Sequence, residues 1–181
     1  MGTLELKCIF EIHYFKFNIT IYVFLFLLGR RIIWRIGSSI AYWAHRNAST
    51  RPGGPNLNLQ YIGGSVNWYG KRSTMWEELS PVVEKQLRRP PPPNFLAIQL
   101  GSNDLGWRSS LGFIKDIEID MLCLHALMPY TKIVWIDMLQ RRYWHTANSG
   151  KAIEKTHKRV NLAVRHIVGS IQGFTIRHVN I

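Results

Sequence analysis

Three short polar blocks in this 181-residue chain carry the residue types that acyl transfer needs. They are Gly37-Ser38-Ser39, Gly70 and Gly101-Ser102-Asn103-Asp104, and each closes an apolar run of strand length. Acyl transfer requires an oxygen nucleophile and donors aimed at the oxyanion formed on the attacked carbonyl, each donor contributing about 3 kcal/mol to the transition state. Ser39 offers the hydroxyl. The backbone N–H groups of Ser39 and Gly70 and the side-chain amide of Asn103 are the expected oxyanion donors, with Gly37, Gly101 and Asp104 in support. Convergence of the three blocks carries this reading, since small residues at one strand-to-helix turn are equally explained by capping and backbone geometry.

The elements that must position these groups alternate. The run Arg31 to Ile36 reads as a strand, and Ile40 to Arg46 as a short helix that gives way to the turn-forming Asn47 to Pro55. Ser65 to Tyr69 is the second strand, stopped by Gly70. Thr74-x-x-Glu77 fits a capping box that opens a helix carrying Leu79, Val82, Val83 and Leu87. Pro90 to Pro93 form a stiff connector into the strand Phe95 to Leu100. From Leu111 to Met128, Ile114, Ile117, Met121, Leu124 and Met128 recur at helical spacing, and Cys123 on the same pattern is expected in the core. Lys132 to Asp137 is a strand, Ser149 to Val168 an amphipathic helix along Ile153, Val160, Val164 and Ile167, and Phe174 to Arg177 a fifth strand. Strands alternating with helices predict a three-layer α/β/α domain with a parallel sheet of about five strands, which would bring the ends at Ser39, Gly70 and Asn103 to one rim.

On these blocks the chain resembles the SGNH, or GDSL-type, serine hydrolases, and more narrowly the SGNH-like domains of vertebrate transposon-related reading frames. The resemblance covers roughly residues 30 to 180, and Gly101-Ser102-Asn103-Asp104 is its most specific part. It implies a flavodoxin-like fold and hydrolysis of carboxylic esters, with Ser39 as nucleophile, Gly70 as the second-block glycine and Asn103 as side-chain donor. Two departures stand out. Ser38 occupies the place of the usual Asp of Gly-Asp-Ser-Leu, and Arg35 puts a charge in a strand whose burial on both faces would cost several kcal/mol if unpaired.

A serine hydroxyl is a poor nucleophile until a histidine takes its proton, with a carboxylate orienting the imidazole. The family carries that pair as Asp-x-x-His beyond the fifth strand, and this sequence contains no Asp-x-x-His. His145 falls in a loop, His157 and His166 on the basic helix and His178 at the close of the fifth strand, while Glu154 and His157 have the spacing but lie along a helix surface. The expectation is a hydrolase domain truncated at its C-terminus, weak or inactive.

Composition limits the partners. With 46% apolar residues and seven Trp the chain is built to fold, and 23 Lys+Arg against 11 Asp+Glu give +12, a charge that attracts nucleic acid or acidic substrates. Lys71-Arg72, Arg88-Arg89, Arg141-Arg142 and Lys151, Lys155, Lys158, Arg159 and Arg165, with Trp68, Tyr143 and Trp144 for stacking, make a non-enzymatic nucleic-acid-binding module the alternative to a small ester substrate. Cys8 and Cys123 form neither a disulfide framework nor a metal motif, and no cofactor is implied. Residues 1–29 differ from the rest. Ile19 to Leu28 is nearly all apolar but shorter than the ~18 residues of a spanning helix, and Leu27-Leu28-Gly29-Arg30-Arg31 lacks a small-x-small cleavage site. This leader reads either as a signal-anchor, with residues 17–28 in the membrane, or as a segment the domain does not need; an intracellular location is the working expectation.

Overall fold

The computed structural model describes residues 31–89, 91–141, 144 and 149–178. Five strands pair in parallel: β1 (Arg31–Gly37), β2 (Gly64–Gly70), β3 (Phe95–Gln99), β4 (Lys132–Ile136) and β5 (Phe174–Ile176), in the order β2-β1-β3-β4-β5. The helices are α1 (Ser39–Ser49), α2 (Leu79–Leu87), α3 (Ser110–Leu127) and α4 (Gly150–Ser170), with 3-10 turns at Leu59–Ile62 and Trp76–Glu78. Every expected strand and helix is present, with most ends within three residues of those expected; the helix opened near Thr74 begins with the 3-10 turn Trp76–Glu78.

Alternation along each strand sorts the core into two layers. Trp34, Ile36, Leu96, Ile98, Ile133 and Trp135 face α2, α3 and α4, where they meet Val83, Phe113, Ile117, Met121, Val160 and Val164. Ile33, Ala97, Val134, Ile136 and Ile176 face the other way, toward Ala48 of α1 and Leu57 and Leu59. The order matters for function. After β1 the chain moves outward to β2, then returns past β1 to β3, so the carboxyl ends of β1 and β3 diverge around a crevice, the usual ligand position in such sheets.

Three local expectations are corrected. Cys123 is exposed, because the buried stripe of α3 runs through Phe113, Ile117, Met121 and Leu124, and position 123 lies about 200° around the helix from Met121. The capping box starts one residue late: Glu78, not Glu77, accepts from the N–H of Met75 at 3.2 Å, while the Thr74 hydroxyl turns back to donate to the Lys71 carbonyl at 2.7 Å. Arg35 is buried but partnered, donating to Gln99 Oε1 at 2.5 Å and to the Ile36 carbonyl at 3.3 Å, and burial lowers its pKa to about 9. The apolar leader 1–29 lies outside the described residues; among those described, no helix is long and apolar enough to cross a membrane.

Candidate active site

The first block forms as the β1 run ends. Gly37 is the last strand residue, Ser38 caps α1 and accepts the Tyr42 N–H at its carbonyl (3.1 Å), and Ser39 opens the helix. Of the two serines, Ser38 is buried and Ser39 half-exposed, with no side-chain hydrogen bond to any described residue. Ser39 is therefore the hydroxyl open to a ligand, at the helix end where backbone N–H groups favour developing negative charge.

The glycines are set by close approach. A Cβ on Gly70 would lie 2.5 Å from the backbone nitrogen of Tyr42, so the end of β2 can abut the first turn of α1 only without a side chain. A Cβ on Gly37 would meet Ala41 at 2.6 Å and lie 3.7 Å from Arg35 Nη1, over the space through which the guanidinium reaches Gln99. Gly37 pairs with Gly70 on one side and Gln99 on the other, and the Lys71 N–H donates to the Gly37 carbonyl at 3.2 Å. The three strand ends are thus laterally adjacent. Gly101, at φ +97°, turns the chain after β3 where a Cβ would press on Phe113 at 3.0 Å.

Asn103 is held from two sides. Its Nδ2 donates to the Thr74 carbonyl at 2.9 Å, and its Oδ1 accepts from Arg141 Nη2 at 2.7 Å. One N–H of the carboxamide is used on Thr74, which leaves the other for a ligand. Asp104, expected only to support the block, is a tie between loops: both carboxylate oxygens accept from the Trp76 N–H, at 3.0 and 3.2 Å. Burial raises its pKa to about 6 against the opposing pull of that hydrogen bond. Trp76 in turn is wedged beside Phe113 and Trp135 and donates its indole N–H to Asp120 at 2.7 Å. The Asp104–Trp76 and Asn103–Thr74 hydrogen bonds thus tie the loop after β2 to the loop after β3.

Behind the rim runs a polar layer that no single block announces. Gln99 accepts from Arg35 and donates to the Asp137 carbonyl at 3.1 Å; His178 Nε2 bonds the same carbonyl at 2.9 Å. The Asp137 carboxylate takes both Nε and Nη2 of Arg165. Gln99 had a visible signal: it stands two residues before Gly101, as Arg35 stands two before Gly37. Arg141 was read only as part of a basic surface, and nothing in its sequence neighbourhood points to Asn103.

Two of the histidines are held by backbone carbonyls. His157, expected on the helix surface, is buried, with Nε2 on the Met138 carbonyl at 2.8 Å, Nδ1 3.9 Å from Glu154 and Trp144 over its ring. His178 closes β5 on the Asp137 carbonyl, and His166 is exposed on α4. His145 lies outside the described residues, as do Arg142 and Tyr143. Part of the basic face is paired within the fold: Lys71 with Glu78, Arg165 with Asp137 and Lys158 with Glu154, while Trp68 stacks on His45 and donates to the Pro55 carbonyl. Among the described residues no His/Cys/Asp/Glu cluster suits a metal ion.

No family model matches the sequence, and no curated protein does. Solved structures match the fold. A variant of the acetyl xylan esterase from Geobacillus stearothermophilus is 16% identical with a TM-score of 0.58, over 82% of this chain and 77% of that one. A catalytic mutant of the same esterase, with an aspartate replaced by alanine, is 17% identical with a TM-score of 0.57 over the same shares. The chain thus shares a parallel α/β fold with these ester hydrolases.

Proposed function

We propose that this chain is an SGNH-type serine hydrolase domain acting on small carboxylic esters with low turnover, akin to the SGNH-like domains of vertebrate transposon-related reading frames. The observation that carries the proposal is that a half-exposed Ser39 follows β1 and a clamped Asn103 follows β3, two strands that are neighbours in the sheet. Ser39 Oγ attacks the ester carbonyl carbon. The oxyanion is held by the Ser39 and Gly70 N–H groups and the remaining Asn103 N–H. The C–O bond to the alcohol then breaks, the serine proton leaves with the alcohol, and water releases the acid from acyl-Ser39. Low turnover rests on the described His157 and His178, whose Nε2 atoms are bonded to backbone carbonyls. Without a base, a triad-type site keeps only the residual acceleration from its oxyanion hole.

Labelling with a fluorophosphonate probe tests this. Slow labelling that disappears in Ser39→Ala and falls about 10²- to 10³-fold in Asn103→Ala is expected. Labelling that persists in Ser39→Ala, or none at all after prolonged exposure, overturns the reading. Rapid labelling would overturn the low turnover.

A further inference from the structure

We infer that Arg141 is a positioning residue: it locks the Asn103 carboxamide with its N–H toward the ligand and leaves a positive charge beside the oxyanion. The inference rests on the ester-hydrolase reading for its catalytic consequence, but its structural half stands alone. Arg141 Nη2 donates to Asn103 Oδ1 at 2.7 Å, and Asn103 Nδ2 donates to the Thr74 carbonyl at 2.9 Å. Rotating the carboxamide by 180° would set its NH2 against the guanidinium, donor against donor, and its oxygen against the Thr74 carbonyl, acceptor against acceptor. Both contacts would become repulsive, so only one orientation survives.

The clamp does more than orient. A hydrogen bond from a charged donor to the amide oxygen draws electron density off the amide, and the remaining N–H becomes a stronger donor. Arg141 is itself held: the same Nη2 donates to the Ser102 hydroxyl at 2.8 Å, and the guanidinium lies 5.5 Å from the centre of the Trp144 ring. Among the described residues no carboxylate pairs with Arg141, although desolvation already disfavours its charge. A half-buried cation with no counter-charge, touching the side chain that would stabilise an oxyanion, is placed for the negative charge that forms in the transition state.

The test has two arms on the full chain. In the first, the Asn103 side-chain NH2 resonances are followed by 15N NMR, assigned by their loss in Asn103→Ala. Arg141→Ala should shift both protons and speed their exchange with solvent, and Arg141→Lys, which keeps one charged donor, should fall between. In the second, the concentration dependence of fluorophosphonate labelling separates reversible binding from the chemical step. Arg141→Ala should lower the chemical step about 10- to 100-fold, less than losing the donor itself, with binding little changed. Unshifted Asn103 resonances in both variants overturn the clamp, whether or not the wild type labels. Shifted resonances with an unchanged chemical step overturn its catalytic role, and weaker binding with an intact chemical step would reassign Arg141 to the substrate. Should Arg141→Ala fail to fold, the Arg141→Lys shifts decide alone. A wild type that never labels ends the hydrolase reading and leaves the first arm intact.

Discussion

Gly70 and Asp104 show how closely single residues fix the rim. At Gly70 even one methyl group would meet the α1 backbone at 2.5 Å, an atom that cannot move without the helix. Gly70→Ala should therefore destabilise the protein by about 2 kcal/mol, measured by denaturant unfolding, and slow Ser39 labelling as α1 shifts. A midpoint equal to wild type would show that the helix yields freely. Asp104 makes a pH prediction. Burial lifts its folded-state pKa from 3.8 to about 6, so between about pH 4 and 6 the folded protein holds a proton that the unfolded chain has lost. By linkage, stability falls as pH rises through that window, by about 3 kcal/mol from this group, and flattens above it. Asp104→Asn keeps an oxygen for the Trp76 N–H and should remove this component. The test is the difference between the two unfolding profiles, and identical slopes would assign the effect elsewhere. The positions of Ser39, Gly70 and Asn103 at or just beyond strand ends were legible in the sequence because glycine and small polar residues closing apolar runs are local signals. Arg141 was not, because its partner lies 38 positions away.

Among the elements, the polar layer beneath the strand ends is where the chain departs from an ordinary buried sheet. Arg35 on β1 and Gln99 on β3 are joined by a hydrogen bond beside Gly37, whose own lack of a side chain is required by the approach of Ala41. Gln99→Leu removes a partner from a buried guanidinium and should cost about 2–3 kcal/mol in chemical unfolding. Pairing that change with Arg35→Met removes the buried charge together with its partner, and should recover most of the loss. A double variant less stable than the single one would show that the layer stabilises the sheet in its own right. The helices read well from the sequence because a stripe at 3.6-residue spacing is a local pattern. Their faces read less well: in α3 the long apolar run obscured which side is buried, and Cys123 went to solvent.

Across the whole molecule, an excess of 12 positive charges is the dominant long-range term. Self-repulsion of that kind weakens with salt, so the thermal midpoint should rise by a few degrees between about 0.02 and 0.3 M NaCl. A falling midpoint would mean that pairs such as Lys71–Glu78 and Arg165–Asp137 outweigh the repulsion. If the exposed Arg72, Arg88, Arg89, Lys151, Lys155 and Arg159 serve only as a solvated surface, binding to single-stranded DNA should show a shallow salt slope; a steep one would favour the nucleic-acid reading. The sequence by itself determined that strands and helices alternate, that Gly70 ends a strand and that Ser39 and Asn103 each follow one. Those properties rest on periodicity, turn chemistry and composition, all contained in short stretches of chain. Only the tertiary structure decided that β3 lies beside β1, so that the segments carrying Ser39 and Asn103 leave adjacent strands, that Gln99 answers Arg35, and that Arg141 donates to Asn103. Pairings between residues dozens of positions apart depend on which strand edges meet, and no local pattern encodes that choice.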